Sequence, residues 1–298
     1  MLGARYVAMP EGVPMIGDNG QTTVATSLHR MRASLSKAEL KVAEVLLSNY
    51  PVAGLGNIST IARSAGVSEP TITRLVTKLG FDGFASFKAA LQKELQERLL
   101  PPTAIKLPSP EASGLMDMAN TMTEGMMRSL SAVDPAEFAK AARLLADSKR
   151  RVFVIGGRVS SALAKHLAWS LQVLRPNVIY VSEGIAERIN ALLDAGKGDI
   201  VVAFDFRRYQ PDTVTFVRIA SQQGSTAILL TDPYLSPAAG NAEIVFHASI
   251  GGPSQFSSMV PTIAIVEAMI TLVTTELGER GRKRMERYVE NSEAFGQL

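Results

Sequence analysis

The stretch SEPTITRLVTKLG, residues 68–80, carries polar side chains of the kinds that contact nucleic acid. The candidates are Ser68, Thr71, Thr73, Arg74 and Lys78. Small hydroxyls can approach bases or phosphates closely, and arginine and lysine bind guanine or the phosphate backbone. A helix that only filled a core would not need this face. The pattern therefore favours a DNA-contacting helix over a small bundle with a solvated polar side.

A second set of residues, in GGRVSS and FDFRRYQPDT, is suited to bind an anion. It comprises Gly156, Gly157, Arg158, Ser160, Ser161, Arg207, Arg208 and Tyr209. Paired glycines let the backbone approach a ligand, hydroxyls at a helix N-terminus favour anions, and arginine binds carboxylate or phosphate in a bidentate fork. Two plainer interpretations compete. GGRVSS could be an ordinary strand-to-helix turn, and the adjacent arginines could form surface ion pairs with Asp205 and Asp212.

Catalytic chemistry has weaker support in the sequence. An isomerase would need an acid/base pair, for which the candidates are Glu183, Glu187 and His247. His247 and the other two histidines, His29 and His166, stand where structural roles are more common. No Ser/His/Asp grouping or metal-ligand spacing is present. We therefore predict no catalytic residue, no metal site and no cofactor.

Short helices must position the candidate DNA-contacting residues. Ser36 and Glu39 form a capping-box signature before a helix that should end near NYP, because residues before proline avoid the helical region. NISTIARSAGV predicts a second helix, followed by a tight turn at Gly66. Ser68 then caps a third helix with Pro70 in its first turn. The buried stripe of this third helix is Ile72, Leu75, Val76 and Leu79. The spacing is typical of a helix-turn-helix, whose second helix lies in the major groove.

Strands must position the candidate anion-binding residues. Residues 99–113 carry four prolines and are typical of a semi-stiff linker. Helical patterns follow at 114–131 and 134–147, and a long helix near 258–277 closes the chain. Between them, helices alternate with short apolar runs at 151–155, 177–181, 199–204, 226–232 and 242–247. This alternation predicts an α/β domain with a parallel sheet, whose ligands bind at the carboxyl ends of the strands.

Composition narrows the alternatives. The length of 298 residues fits two domains, and the absence of cysteine excludes disulfides and thiolate sites. Residues 1–100 hold 11 Lys+Arg against 8 Asp+Glu, which accounts for the whole net charge of +3 and weakly indicates a polyanionic partner. The first residues lack the apolar core of a secretory signal. The apolar stretch 257–273 contains Pro261 and Glu267, which favours a buried helix over a membrane span. We predict a cytoplasmic protein with no membrane partner.

Residues 35–95 resemble the N-terminal domain of the RpiR family of bacterial transcriptional regulators. The resemblance covers the core IARSAGVSEPTITRLVTKLGF and the following run GFDGFASFK. It implies that Phe81, Phe84 and Phe87 pack a further helix against the bundle, and that Lys88 reaches a DNA phosphate.

Residues 140–277 resemble the SIS, or sugar isomerase, domain in the order and spacing of their elements, and ASQQGSTAILLTD is similar to its fourth strand. The resemblance implies a flavodoxin-like parallel sheet with helices on both faces and a phosphosugar ligand. Typical members place Ser-x-Ser-Gly-x-Thr after the third strand to wrap the phosphate. FDFRRYQPDT stands there in this chain, with guanidinium groups in place of the backbone cradle, so we expect an anionic ligand without specifying a sugar phosphate.

The expected protein is thus an all-α helix-turn-helix domain at 24–98, a linker at 99–113 and a SIS-like α/β domain at 114–298. We expect a regulator that binds a double-stranded DNA operator and senses a small anionic sugar or sugar-phosphate effector. A homodimer or homotetramer is expected because operators are commonly palindromic, with the helices at 114–131 and 258–277 as candidate contacts. Two alternatives stay open: a phosphosugar isomerase-like enzyme, and a regulator whose SIS domain only dimerises.

Overall fold

The computed structural model describes residues 23–99 and 114–296. Leu99 ends a helix, and the rest of the predicted linker lies outside the described residues. The all-α domain and the α/β domain predicted on either side of it are both confirmed.

Five α-helices build the N-terminal domain within residues 23–99. They are α1 (Val24–Met31), α2 (Lys37–Ser48), α3 (Ile58–Ala65), α4 (Glu69–Lys78) and α5 (Phe84–Leu99), with 3-10 segments at Arg32–Ser34 and Val52–Leu55. The capping box of α2 is confirmed, because the Ser36 N–H donates to Glu39 Oε2 at 2.7 Å and the Glu39 N–H donates to Ser36 Oγ at 3.3 Å. Gly66 follows α3 with a φ of +63°, the left-handed conformation that turns the chain into α4.

Apolar packing fixes α4 within this bundle. The predicted stripe is confirmed as buried: Ile72, Leu75, Val76 and Leu79. The predicted aromatic packing of α5 is also confirmed. The Phe87 ring lies 5.5 Å from Phe81, edge to face, and 5.8 Å from Phe84. The opposite side of α4 is left facing solvent.

The second domain is a parallel sheet between helices. Its helices are α6 (Leu115–Ser131), α7 (Pro135–Ala146), α8 (Ser161–Leu174), α9 (Ile185–Asp194), α10 (Pro211–Gln222), α11 (Val260–Leu277) and α12 (Glu279–Ala294). Its strands are β1 (Val152–Gly156), β2 (Val178–Val181), β3 (Ile200–Phe204), β4 (Thr226–Thr231) and β5 (Ile244–His247). The strands lie in the order β2-β1-β3-β4-β5, with every neighbouring pair parallel, which is the flavodoxin-like arrangement.

Most element boundaries lie within one or two residues of the sequence-based expectation, and one helix was missed. β5 begins two residues later than predicted, because the 3-10 segment Pro237–Asn241 leads directly into it. The helix α12 is not predicted at all, since its sequence ERGRKRMERYVENSEA is dominated by charge and carries little apolar periodicity.

The strands β1 and β3 are buried along their whole length. On one face of the sheet, an apolar layer packs against α7, α8 and α11. On the other face, the layer includes α10 and continues through Leu235 and Ala238 into the helical domain. The carboxyl ends of β3 and β4 therefore lie next to the first domain.

The helix α11 is long and apolar enough, by length and composition, to cross a membrane. In this fold it packs against α6, α7 and α8, and Ile265, Val266 and Val273 on it are buried. The predicted core helix in this region is confirmed.

Candidate functional site

The outer face of α4 carries the charge of the predicted DNA site. Thr73, Arg74, Thr77 and Lys78 are exposed on it, opposite the buried stripe. Because α4 is the second helix of a helix-turn-helix, this is the face that fits into a major groove.

The hydroxyls at the start of α4 depart from the sequence-based expectation. Thr71, expected on the polar face, is only 4% exposed, because it lies one turn before Leu75 on the buried stripe. Its Oγ1 accepts a hydrogen bond from Arg74 Nη2 at 3.3 Å and lies 3.1 Å from Ser68 Oγ. Ser68 occupies the N-cap position but makes no side-chain hydrogen bond to the backbone. Thr71 therefore orients Arg74 and is not itself presented to DNA.

Two lysines lie on or beside this face, Lys78 on α4 and Lys88 on α5. Lys78 Nζ donates to the Ser34 carbonyl at 2.7 Å and lies 3.4 Å from Glu39 Oε2, so it is held against the start of α2. Lys88 lies half-buried on α5. Contact of either lysine with DNA stays a prediction.

The loop between β1 and α8 is held by internal hydrogen bonds. A Cβ on Gly156 would lie 2.7 Å from the Ser160 carbonyl oxygen, so only glycine fits there. Ser160 Oγ donates to the Phe204 carbonyl at 2.8 Å and accepts from the Gly157 N–H at 2.9 Å. Ser161 Oγ donates to the Arg158 carbonyl at 3.2 Å. Both hydroxyls thus shape the loop, while Arg158 is exposed.

The loop after β3 contacts the helical domain. Arg207 Nη1 donates to the Glu97 carbonyl at 2.9 Å, and the Arg98 guanidinium lies 4.7 Å from the centre of the Tyr209 ring. The intervening Arg208 is exposed, with a φ of +68°. The ion pairs that the sequence allowed as an alternative are not formed by these arginines.

Two buried carboxylates at the ends of β3 and β4 organise this loop. Asp232 accepts hydrogen bonds from the Arg207 N–H, the Tyr209 hydroxyl and the Tyr234 N–H. Asp205 accepts from Ser236 Oγ and from the backbone N–H of residue 210. Burial raises the pKa of Asp205 to about 6 and also raises that of Asp232. The two buried carboxyl groups form an acidic floor beneath this loop, and an anion would have to bind above it.

Glu97 and Arg188 are functional candidates that the sequence reasoning missed. Besides accepting from Arg207, Glu97 accepts a hydrogen bond from Tyr234 at 3.0 Å. Arg188 is buried on α9, where it pairs with Asp212 at 2.8 Å and donates to the Gly156 carbonyl. The amphipathic pattern of α9 is the reverse of the usual one, and this was the signal in the sequence. Its apolar side chains Ile185, Ile189 and Leu193 face solvent, and Arg188 faces inward.

Of the acid/base candidates, His247 does not assemble with Glu183 within one chain. Glu183 follows β2 and His247 ends β5, at opposite edges of the sheet. Four strand spacings of about 4.8 Å separate them by roughly 19 Å, too far for a shared proton-transfer site. His166 pairs with Glu267 at 2.5 Å on a different surface. Within residues 23–99 and 114–296, no cluster of three potential ligands could hold a metal ion.

Comparison with known families agrees with this architecture. The family model "Helix-turn-helix domain, rpiR family" matches residues 22–98, and the SIS domain model matches residues 144–272. HTH-type transcriptional regulator HexR of Escherichia coli is 26% identical over 266 residues, covering 86% of this chain and 89% of its own. An uncharacterized HTH-type transcriptional regulator of Haemophilus influenzae is 25% identical over 228 residues, covering 74% and 78%.

Solved structures show the same fold. The Vibrio vulnificus NanR protein complexed with ManNAc-6P is 19% identical, with a TM-score of 0.54 over 90% of this chain and 98% of its own. The sugar isomerase domain of an RpiR transcription factor from Sphaerobacter thermophilus is 23% identical, with a TM-score of 0.55 over 59% and 97%. The chain has an rpiR-type helix-turn-helix followed by a SIS domain, and several of its curated relatives are named HTH-type transcriptional regulators. This protein therefore belongs to the RpiR family of transcriptional regulators.

Proposed function

We propose that this regulator binds operator DNA through α4 and changes its operator affinity when a small anionic, sugar-derived metabolite binds the SIS domain. The observation that carries the proposal is the contact of α5 with the loop after β3, through Arg207 and Glu97. In an SIS-type sheet this loop is placed at the ligand end of the strands. A ligand that shifts it would therefore act directly on the helical domain.

Within the effector site, the contacts suggest a division of roles. Gly156, Gly157, Ser160 and Ser161 set the shape of one loop, which touches the other where residue 157 packs on Gln210. Arg158 and Arg208 are exposed at these two loops and would contact the anion. Arg207 and Tyr209 would relay its binding to α5.

A bound phosphosugar in the NanR complex supports an effector of this class. The separation of Glu183 from His247 argues against an isomerase, so we propose that the chain is not an enzyme. As a DNA-binding regulator it would act in the cytoplasm. A SIS domain that only dimerises is the second candidate, favoured by the acidic floor that Asp205 and Asp232 form.

The DNA arm is tested with Arg74→Ala in an operator gel shift, using operator fragments selected from genomic DNA. Loss of one good base contact costs about 1–3 kcal/mol, which is roughly a 5- to 150-fold weakening. Arg218→Ala, an exposed arginine on α10, is the matched control for a lost positive charge. Equal operator affinity of a folded Arg74→Ala protein and this control would remove Arg74 from the interface.

A further inference from the structure

A cavity of about 980 Å³ lies between the two domains, away from the loops after β1 and β3. One wall is the end of α1 with the segment Arg32–Ser34, a second is the end of α6 with the start of α7, and a third is β5. Because β5 is an edge strand, its outer side is free to line this space.

Basic side chains from both domains gather in the cavity. They are His29, Arg30, Arg32, Arg128 and His247. Arg128 pairs with Glu124. For the other four, the part of the chain that the structure describes supplies no side-chain hydrogen bond and no ion pair, whereas the chain's third histidine, His166, is paired.

Three carboxylates also line the cavity, but each is engaged elsewhere. Asp134 accepts the backbone N–H groups of residues 136 and 137 at the start of α7. Glu137 and Glu243 both face Lys140, at 4.0 and 3.0 Å. They do not neutralise the four unpaired basic groups.

The pKa shifts of the two histidines agree with an excess of basic groups in the cavity. Burial, followed by the neighbouring His29 and Arg30, lowers the pKa of His247 to about 4. Burial and Arg32 lower the pKa of His29. The charged groups that act on the two imidazoles are thus themselves basic, and an anion placed among them would relieve the repulsion.

We propose that this cavity is a second binding site, for a small metabolite carrying a phosphate or an equivalent dianionic group. Arg30 and Arg32 would pair with the dianion. His29 and His247 would donate hydrogen bonds to it, and each imidazole would take up a proton as the dianion binds. Since the walls belong to both domains, the bound ligand would hold the helical domain against the SIS domain. The site is separate from the proposed effector loops and does not depend on them.

The test is an NMR titration of the full-length protein, with ¹³C-labelled histidine and sulfate as the probe. The three histidines give three ring signals, and His166 serves as an internal reference. We expect saturable shifts of the His29 and His247 signals, no shift of His166, and no response to chloride at matched ionic strength. Shifts that are absent, or that chloride reproduces, would overturn the site.

A double variant, Arg30→Gln with Arg32→Gln, should weaken sulfate binding at least tenfold while the histidine signals keep their dispersion, because both side chains are exposed and should not affect folding. Arg218→Gln is the charge-matched control. Unchanged sulfate affinity in the double variant would contradict the assignment, as would signals that respond only to duplex DNA.

The pH dependence of sulfate affinity is an independent test of the site. Sulfate stays dianionic from about pH 7.5 to about pH 5.5, so any pH dependence belongs to the protein. The groups that could contribute are those that line the cavity. They are His29, Arg30, Arg32 and Arg128, Asp134 and Glu137 at the start of α7, Glu243 just before β5, and His247 at its end. A dianion raises the pKa of a nearby imidazole, so the complex binds more protons than the free protein and affinity should rise as pH falls. Binding that is independent of pH would exclude the histidines from the site.

Discussion

At the scale of single residues, the buried Glu94 makes the stability of the helical domain depend on pH. Its side chain is buried, and it accepts hydrogen bonds from the Val24 N–H at 2.9 Å and from the Tyr50 hydroxyl. It thereby joins α1, the chain after α2, and α5. Burial, with a smaller contribution from Glu97, raises its pKa from 4.5 to about 8. This position could not be identified from the sequence, where Glu94 resembles any glutamate on an exposed helix.

Glu94 should make the protein less stable as pH rises. Between its unfolded pKa of 4.5 and its folded pKa of about 8, the folded state holds a proton that the unfolded state has lost. Stability is then greatest below about pH 4.5 and falls up to about pH 8, by at most roughly 5 kcal/mol. Glu94→Gln keeps the shape and should remove this part of the slope. Urea midpoints at several pH values measure it, and parallel pH profiles for the wild type and Glu94→Gln would contradict it.

At the scale of elements, the loop after β3 connects the two domains. Its two adjacent arginines have different surroundings. Arg207 contacts the end of α5, and Arg208 is exposed. The sequence placed both arginines in one set of anion-binding candidates and did not distinguish their roles. The neighbouring helical domain determines which arginine points inward, because it supplies the Glu97 carbonyl that Arg207 contacts.

Substitutions of these two arginines should have different effects on effector binding and on operator binding. Arg207→Ala should retain effector affinity but lose the change in operator affinity, because it removes a hydrogen bond worth about 1 kcal/mol between the loop and α5. Arg208→Ala should weaken effector binding by roughly tenfold and leave apo operator binding unchanged. The measurements are calorimetry, with the strongest binder from a panel of sugar phosphates and sugar acids, and operator gel shifts with and without it. If both variants respond to the effector like the wild type, the roles assigned to these two arginines are wrong. If no anion in the panel binds the wild type or changes its operator affinity, a SIS domain that only dimerises is favoured.

At the scale of the whole molecule, apolar side chains left on the surface favour self-association. Leu115, Met116 and Met127 on α6 are exposed, and the last two lie on one helix face because eleven residues make about three turns. The helix α6 packs on α11 within the chain. Contact of either helix with a second copy stays a prediction. The exposed stripe on α9 is a second apolar surface that the sequence did not indicate.

We expect a homodimer, or a dimer of dimers, in sedimentation of the full-length protein. Met116→Glu with Met127→Glu should shift it toward monomer and weaken operator binding, since two half-sites are then no longer bound together. Ile189→Glu on α9 is the matched control, and a loss of the dimer in this control alone would place the interface on α9.

The sequence by itself determined the family, the two domains, the helix-turn-helix and the order of the strands. Each of these depends on local information: caps, Gly66, the periodicity of apolar residues and the alternation of elements. Tertiary structure alone decided the roles of the side chains. It buried Thr71, used the hydroxyls of Ser160 and Ser161 inside their own loop, turned Arg207 toward α5, and brought His29 and His247 to one cavity. The reason is that partners distant in sequence leave no periodic trace in the chain: Ser160 and Phe204 are 44 residues apart, and Arg207 and Glu97 are 110 residues apart.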